Sequence, residues 1–180
     1  ILGEATGLLA EGGLEALTVR RLASRLNVEA PSLYPHIGSK SRLLAKVTRK
    51  LFWSQIEQVG ECGSWQEWLK RFGLILWNTE TEIADCAMLV LSTRFDPEDY
   101  RLMTGWVAER LACFSIDAGV ALEMQQSVQA LVLGLAGHAT GPNGEYLRQV
   151  VPFDDIIERT LTALISGLEI RLVNEAKVTP

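Results

Sequence analysis

With 180 residues, 48% apolar and 22% charged side chains and a formal net charge of −5, the chain has the ordinary mix of a globular protein with a proper core, which excludes a disordered or fibrous class. No run of about 18 apolar residues offers a membrane span, and the first thirty residues lack the basic-then-apolar order of a signal peptide. Three cysteines, Cys62, Cys86 and Cys113, without Cys-x-x-Cys spacing, fit a reduced, cytoplasmic protein in which thiols are small packing residues.

The charge is divided unevenly. Residues 1–50 hold eight Lys and Arg against four Glu, a local charge of +4, while the other 130 residues carry −9. Basic charge confined to one end is the electrostatic footprint of a surface that meets phosphate while the remainder stays off it. The chain begins at Ile1 rather than Met, so a preceding segment is expected, and a basic arm there would add to the same footprint.

In chain order, Ile1, Leu2, Ala5, Leu8 and Leu9 recur at helical spacing until Gly12-Gly13 ends the segment. Residues 17–40 then read as two short helices and a tight turn. Thr18 is an N-cap, and Leu17 before it staples onto Leu22. Val19, Leu22, Ala23 and Leu26 share one face. Asn27 tolerates the left-handed conformation of a helix stop, and Val28 plugs the turn. Pro31 suits the first turn of the second helix, with Leu33 and Ile37 inward and Ser32, Tyr34, His36 and Lys40 outward. Pro35 removes a donor from that helix, so it is expected to be short, kinked or finished there. Ser39 caps a longer helix, striped by Leu43, Leu44, Val47 and Leu51, that runs to Val59 before Gly60.

This helix-turn-helix, flanked by both helices, resembles the DNA-binding domain of the tetracycline-repressor (TetR) family, the run Leu33-Tyr34-x-His36-x-x-x-Lys40 most specifically. The close match covers about the first third of the chain. The resemblance implies that Thr18, Arg20, Pro31, Ser32, Tyr34, His36 and Lys40 face DNA, with Arg20 and the second helix nearest the bases. Ala30 departs from it, standing where some members carry a polar base reader. The expected organisation is all-α, with a three-helix DNA-binding domain at 1–50 and a helical effector-binding and dimerisation domain at 51–180.

Beyond the head, Ser64-Trp65-Gln66-Glu67 is a capping box before a helix carrying Trp68, Leu69, Phe72, Ile75, Leu76 and Trp77. Glu80 to Leu91 reads as a separate short helix. Asp96-Pro97-Glu98-Asp99 opens another, with acidic residues where the dipole favours them. Asp117 opens a long helix, and after the loop Gly141-Pro142-Asn143-Gly144 the last helix starts near Pro152, with Asp155 and Glu158 as its cap.

The last helix has more apolar faces than one chain covers, so a second copy is the expected cover. The candidate dimer interface is Val128, Leu131 and Leu135 with Ile157, Leu161, Leu164 and Leu168, an arrangement the resemblance also implies. The resemblance further implies a small-molecule effector inside the body. Candidates to meet it are Phe72, Trp77, Met88 and Met103, together with Trp106, Met124, Gln125 and His138. A single His138 without a second ligand makes no metal site, and the favoured reading is a satisfied core or interface histidine. No cofactor is called for, and without a phosphate-cradling glycine loop, His-Glu-x-x-His or paired cysteine ligands an enzyme finds little support. The expectation is a homodimeric transcription regulator, a repressor on a palindromic double-stranded DNA operator, against an alternative of a helical adaptor using the same motif for protein contacts.

Overall fold

A computed structural model describes residues 1–178, which form ten helices and no strand. They are α1 (Leu2–Ala16), α2 (Val19–Arg25), α3 (Ala30–Ile37), α4 (Lys40–Val59) and α5 (Trp65–Glu82), then α6 (Cys86–Ser92), α7 (Pro97–Ala112), α8 (Ala118–Thr140), α9 (Gly144–Val150) and α10 (Phe153–Val178). No helix among the described residues is long and apolar enough to cross a membrane.

Local chemistry accounts for five of the ten helix starts. The Thr18 hydroxyl accepts from the Arg21 N–H at 3.2 Å, Ser39 from Arg42 at 3.1 Å and Ser64 from Glu67 at 3.2 Å. Asp96 accepts from the N–H groups of Glu98 and Asp99, and Asp117 from that of Gly119. Each satisfies donors that an α-helix leaves orphaned in its first turn. Asn27 takes φ 54° at the stop after α2. Gly12 and Gly13 leave helical geometry and kink α1.

Four features differ from the reading of the sequence. Val28 is 45% exposed and does not plug the turn. Glu80 belongs to α5, and α6 begins only at Cys86, after a turn in which Asp85 adopts φ 59°. The segment after Gly144 forms α9. The last helix starts at Phe153, beside Pro152 as expected, but Asp155 lies within its first turn, with the Ile156 N–H bonded to the Pro152 carbonyl at 3.0 Å, and does not cap it.

Two apolar cores result. The first gathers Leu9 from α1, Leu22 from α2, Leu33 and Ile37 from α3, and Leu43 and Val47 from α4. The second holds Phe52 and Ile56 from α4 with Phe72, Met124, Val128 and Leu161 from the bundle. α8 lies at the centre of that bundle, packed on α5, α7 and α10. Gly73 on α5 makes the tightest crossing, since a Cβ there would sit 2.6 Å from Leu161 Cδ2 and 3.1 Å from Val128 Cγ1.

The joint between the cores uses α6. Its Leu89 is fully buried in the first core, where Ile83 also packs. The Leu14 N–H donates to Asp85 Oδ2 at 3.1 Å, and a side chain on the adjacent Gly13, at φ 64°, would collide with that carboxylate. Gly13→Ala is therefore expected to destabilise the protein by about 1–3 kcal/mol in urea unfolding, through backbone strain and displacement of Asp85.

Candidate nucleic-acid interface and ligand cavity

α3 presents two faces. Leu33 and Ile37 point into the first core, and Pro31, Ser32, Tyr34, Pro35 and His36 are exposed, Tyr34 by 51%. Its N-terminal turn is held by Ser32 Oγ, which donates to the Glu29 carbonyl at 2.7 Å. Its C-terminal end is held by Lys46 Nζ, which donates to the His36 carbonyl at 2.9 Å. Pro35 is accommodated because the helix ends two residues later, at Ile37. Arg20 is exposed on α2, half-buried Thr18 caps the same helix, and Lys40 is exposed at the start of α4. All seven residues expected to face DNA are thus at least partly exposed and belong to the head.

The basic side chains of this head divide into two sets. Arg25 pairs with Glu4 at 2.9 Å and with Glu11 at 2.6 Å. Its guanidinium holds the Glu11 carboxyl below the usual carboxylate range. Arg42 pairs with Asp96 at 3.5 Å, and Arg49 pairs with Asp99. The Asp99 N–H, and after it the Arg42 guanidinium, hold the Asp96 carboxyl below its ordinary value. Arg20, Arg21, Lys40 and Lys50 are exposed and have no ion-pair partner among the described residues.

The body contains a cavity of about 580 Å³ between α4, α5, α6, α7 and α8. Of the eight residues expected to meet an effector, Met103 and Gln125 line it. Phe72 and Met124 are fully buried in the core instead. Trp77 stacks near Phe153 and donates to Asp154 at 3.2 Å, beside a smaller hollow. Trp106 packs on Trp53, with ring centroids 4.5 Å apart. Met88 is 58% exposed and His138 is exposed on α8. Periodicity marked these side chains as apolar without telling core from cavity wall.

The first 47 residues match the family model described as bacterial regulatory proteins, tetR family. The tetracycline repressor protein class D of Escherichia coli is 30% identical over 73% of this chain and 67% of its own length, and the class H protein of Photobacterium damsela subsp. piscicida matches equally. The chain belongs to the TetR family. It is a DNA-binding transcriptional regulator. The fold agrees with solved TetR structures. A TetR variant from Acinetobacter baumannii AYE, in complex with minocycline, superposes with TM-score 0.74 at 24% identity, covering 95% of this chain and 94% of that one. ActR of Streptomyces coelicolor, in complex with actinorhodin, gives 0.69 at 23% identity, with 94% of each chain covered.

In this TetR-family chain the residues expected at the dimer interface fall in two places. Val128, Ile157, Leu161 and Leu168 are buried within the chain's own core, where Gly73 draws α8 and α10 close. Leu131, Leu135 and Leu164 are half-buried at its edge. The residues of α10 left outside the core include Thr160, Ala163, Gly167 and Ile170, and those of α8 include Leu131, Gly134 and His138. A Cβ at Gly134, Gly137 or Gly167 would meet nothing within 4 Å.

Glu80 is one of the cavity residues that reading the sequence missed. Its signal was its position on the inward stripe of α5, four residues after Leu76. Only 1% exposed, it has no hydrogen-bond partner at either carboxylate oxygen, and burial pushes its carboxyl up to about 8. The Cys86 thiol beside it is pushed up to about 12, by burial first and by Glu80 second. Because the folded value lies above the unfolded one of about 4.5, the protonated carboxyl contributes stability that is complete below about pH 4.5 and is lost as pH rises to about 8. Glu80→Gln removes that loss. Thermal melts are expected to show the variant's Tm gaining on the parent's from pH 5 to pH 8, the stability difference growing by about 1.4 kcal/mol per pH unit.

Proposed function

We propose that this regulator is a ligand-responsive repressor that binds a palindromic operator as a homodimer, with residues 1–50 as the reading head and 51–180 as the effector-binding and dimerisation domain. The observation that carries the reading is the exposed polar face of α3, set beside unpaired Arg20 and Lys40 on a head that shares α4 with a cavity-bearing body. The matched relatives are named as repressors, which supports repression, and the minocycline and actinorhodin complexes support the cavity as an effector site.

In this reading Arg20 addresses a base edge, since a guanidinium makes two parallel bonds to guanine. Ser32, Tyr34, His36 and Lys40 supply phosphate or mixed contacts, with Thr18 and Pro31 at the DNA backbone. Two copies pair through the outer stripes of α8 and α10, where exposed glycines and Ala163 let helices approach closely. A two-fold dimer requires half-sites about one helical turn apart or a multiple of it. Effector binding reaches the head through α6, whose Cys86 lines the cavity three residues before Leu89 enters the first core.

Selection of duplex DNA from a random pool is expected to yield a symmetric consensus with steep salt dependence; no enrichment by an intact dimer would favour the protein adaptor. On the selected site Arg20→Ala is expected to change base preference, whereas Lys40→Ala weakens all sequences alike and lowers the salt slope by about one. Gly167→Glu has open space in the single chain and replaces a helical glycine, so the fold is expected to persist. Sedimentation is then expected to show monomers that no longer bind the two-fold site.

A further inference from the structure

We infer that the cavity takes an organic cation with an apolar body, its positive group held against the Glu80 carboxylate; this rests on the reading of the cavity as the effector site. A buried carboxyl without a partner is costly to the fold, and an apolar residue on the inward stripe of α5 would pack there without that cost. Most of the other hydrogen-bonding groups of the cavity are already engaged. Thr48 and Thr93 share a hydrogen bond of 3.1 Å and approach the Leu44 and Leu89 carbonyls. Gln125 donates to Gln129 at 2.6 Å and accepts from Gln126 at 2.9 Å. Glu80 is left as a charge-capable acceptor, both of its oxygens buried and without a hydrogen-bond partner, so a bound cation reaches it by a turn of its side chain toward the cavity it borders.

The groups that line the cavity with Glu80 add no positive charge. α6 contributes the Cys86 thiol and α7 the Tyr100 phenol, while α8 contributes neutral amides and α4 contributes Thr48 and Gln55. Neither Lys, Arg nor His lines the cavity, and the Arg49–Asp99 pair between α4 and α7 closes on itself outside the lining. Phe52, Phe95 and Tyr100 present aromatic rings to a bound cation, and Leu51, Leu76 and Met103 face its apolar part. A metal ion does not fit this donor set, because among the described residues no three His, Cys, Asp or Glu gather to hold one. The volume of about 580 Å³ suits a small organic molecule.

Near neutral pH the buried carboxyl carries a proton, so the cation displaces it and one proton leaves for each cation bound. The test is calorimetric titration of the full chain from pH 6 to 9 with tetraphenylphosphonium and the slimmer benzyltrimethylammonium, and with tetraphenylborate as the anion matched in size to the first. At least one cation is expected to bind, with Kd falling about tenfold per pH unit from 6 to 8 and levelling above, while tetraphenylborate does not bind. Buffers of different ionisation enthalpy are expected to reveal release of nearly one proton at pH 6. Glu80→Gln, checked for folding by its melting curve, is expected to bind at least tenfold more weakly at pH 8 and without pH dependence, and Glu80→Asp to keep the dependence. Equal binding of both tetraphenyl ions, failure of both cations, or an unaltered pH profile in Glu80→Gln overturns the inference. Operator binding by the same preparation separates the two readings: if it persists, the ligand class fails and the regulator stands, and if it is absent while the cation binds, the reverse holds.

Discussion

One helix belongs to two cores. α4 is 20 residues long, about 30 Å at the usual rise, and its Leu43 and Val47 close the first core while Phe52, Ile56 and Val59 close the second. Neither core is complete without it, and its register fixes the attitude of α3 toward solvent. Two further ties act on the same joint. The Leu14 N–H meets Asp85 at the turn before α6, and Arg42 and Arg49 of α4 reach Asp96 and Asp99 at the start of α7. A shift of the body must therefore tilt α4 with its load or repack both ends of it.

The basic residues of the head serve structure as well as binding. Arg25 is shared between Glu4 and Glu11, and solvent screens exposed pairs of this kind so that they add little stability. They matter more by where they leave the charge. Lys46 completes the carbonyl end of a helix only eight residues long and interrupted by proline, a helix with little intrinsic stability of its own. The exposed basic side chains left without an ion pair are Arg20, Arg21, Lys40 and Lys50, on a head joined to a body whose net charge is negative.

What the sequence made legible was local. Thr18, Ser39, Ser64, Asp96 and Asp117 cap their helices from the adjacent residues, so a spacing of two or three positions suffices to read them. The inward and outward faces of α3 follow from Leu33 and Ile37 four apart. The α5 to α6 turn hid because Ile83-Ala84-Asp85 carries no glycine or proline, and its left-handed residue is an aspartate. The cavity hid for a related reason: Phe72 and Met124 have the same apolar character as Met103, and only the packing of five helices decides which of them borders a void. The second apolar face of α10 was legible in part, since Ile170 stands off the inward stripe and is 62% exposed, whereas the exposed Gly134, Gly137 and Gly167 carry no apolar signal to read.

The burial of Leu89 and the packing of Ile83 in the first core bear on how such proteins can be rearranged. A fragment cut after α4 would carry an open socket where Leu89 sits, together with an Asp85 partner lost from Leu14. The reading head is thus not a freely exchangeable cassette. Transplanting it onto another helical body keeps its shape only if that body brings its own leucine and its own carboxylate to the same two places, so recombination between relatives has a seam that runs through α6 as well as through α4.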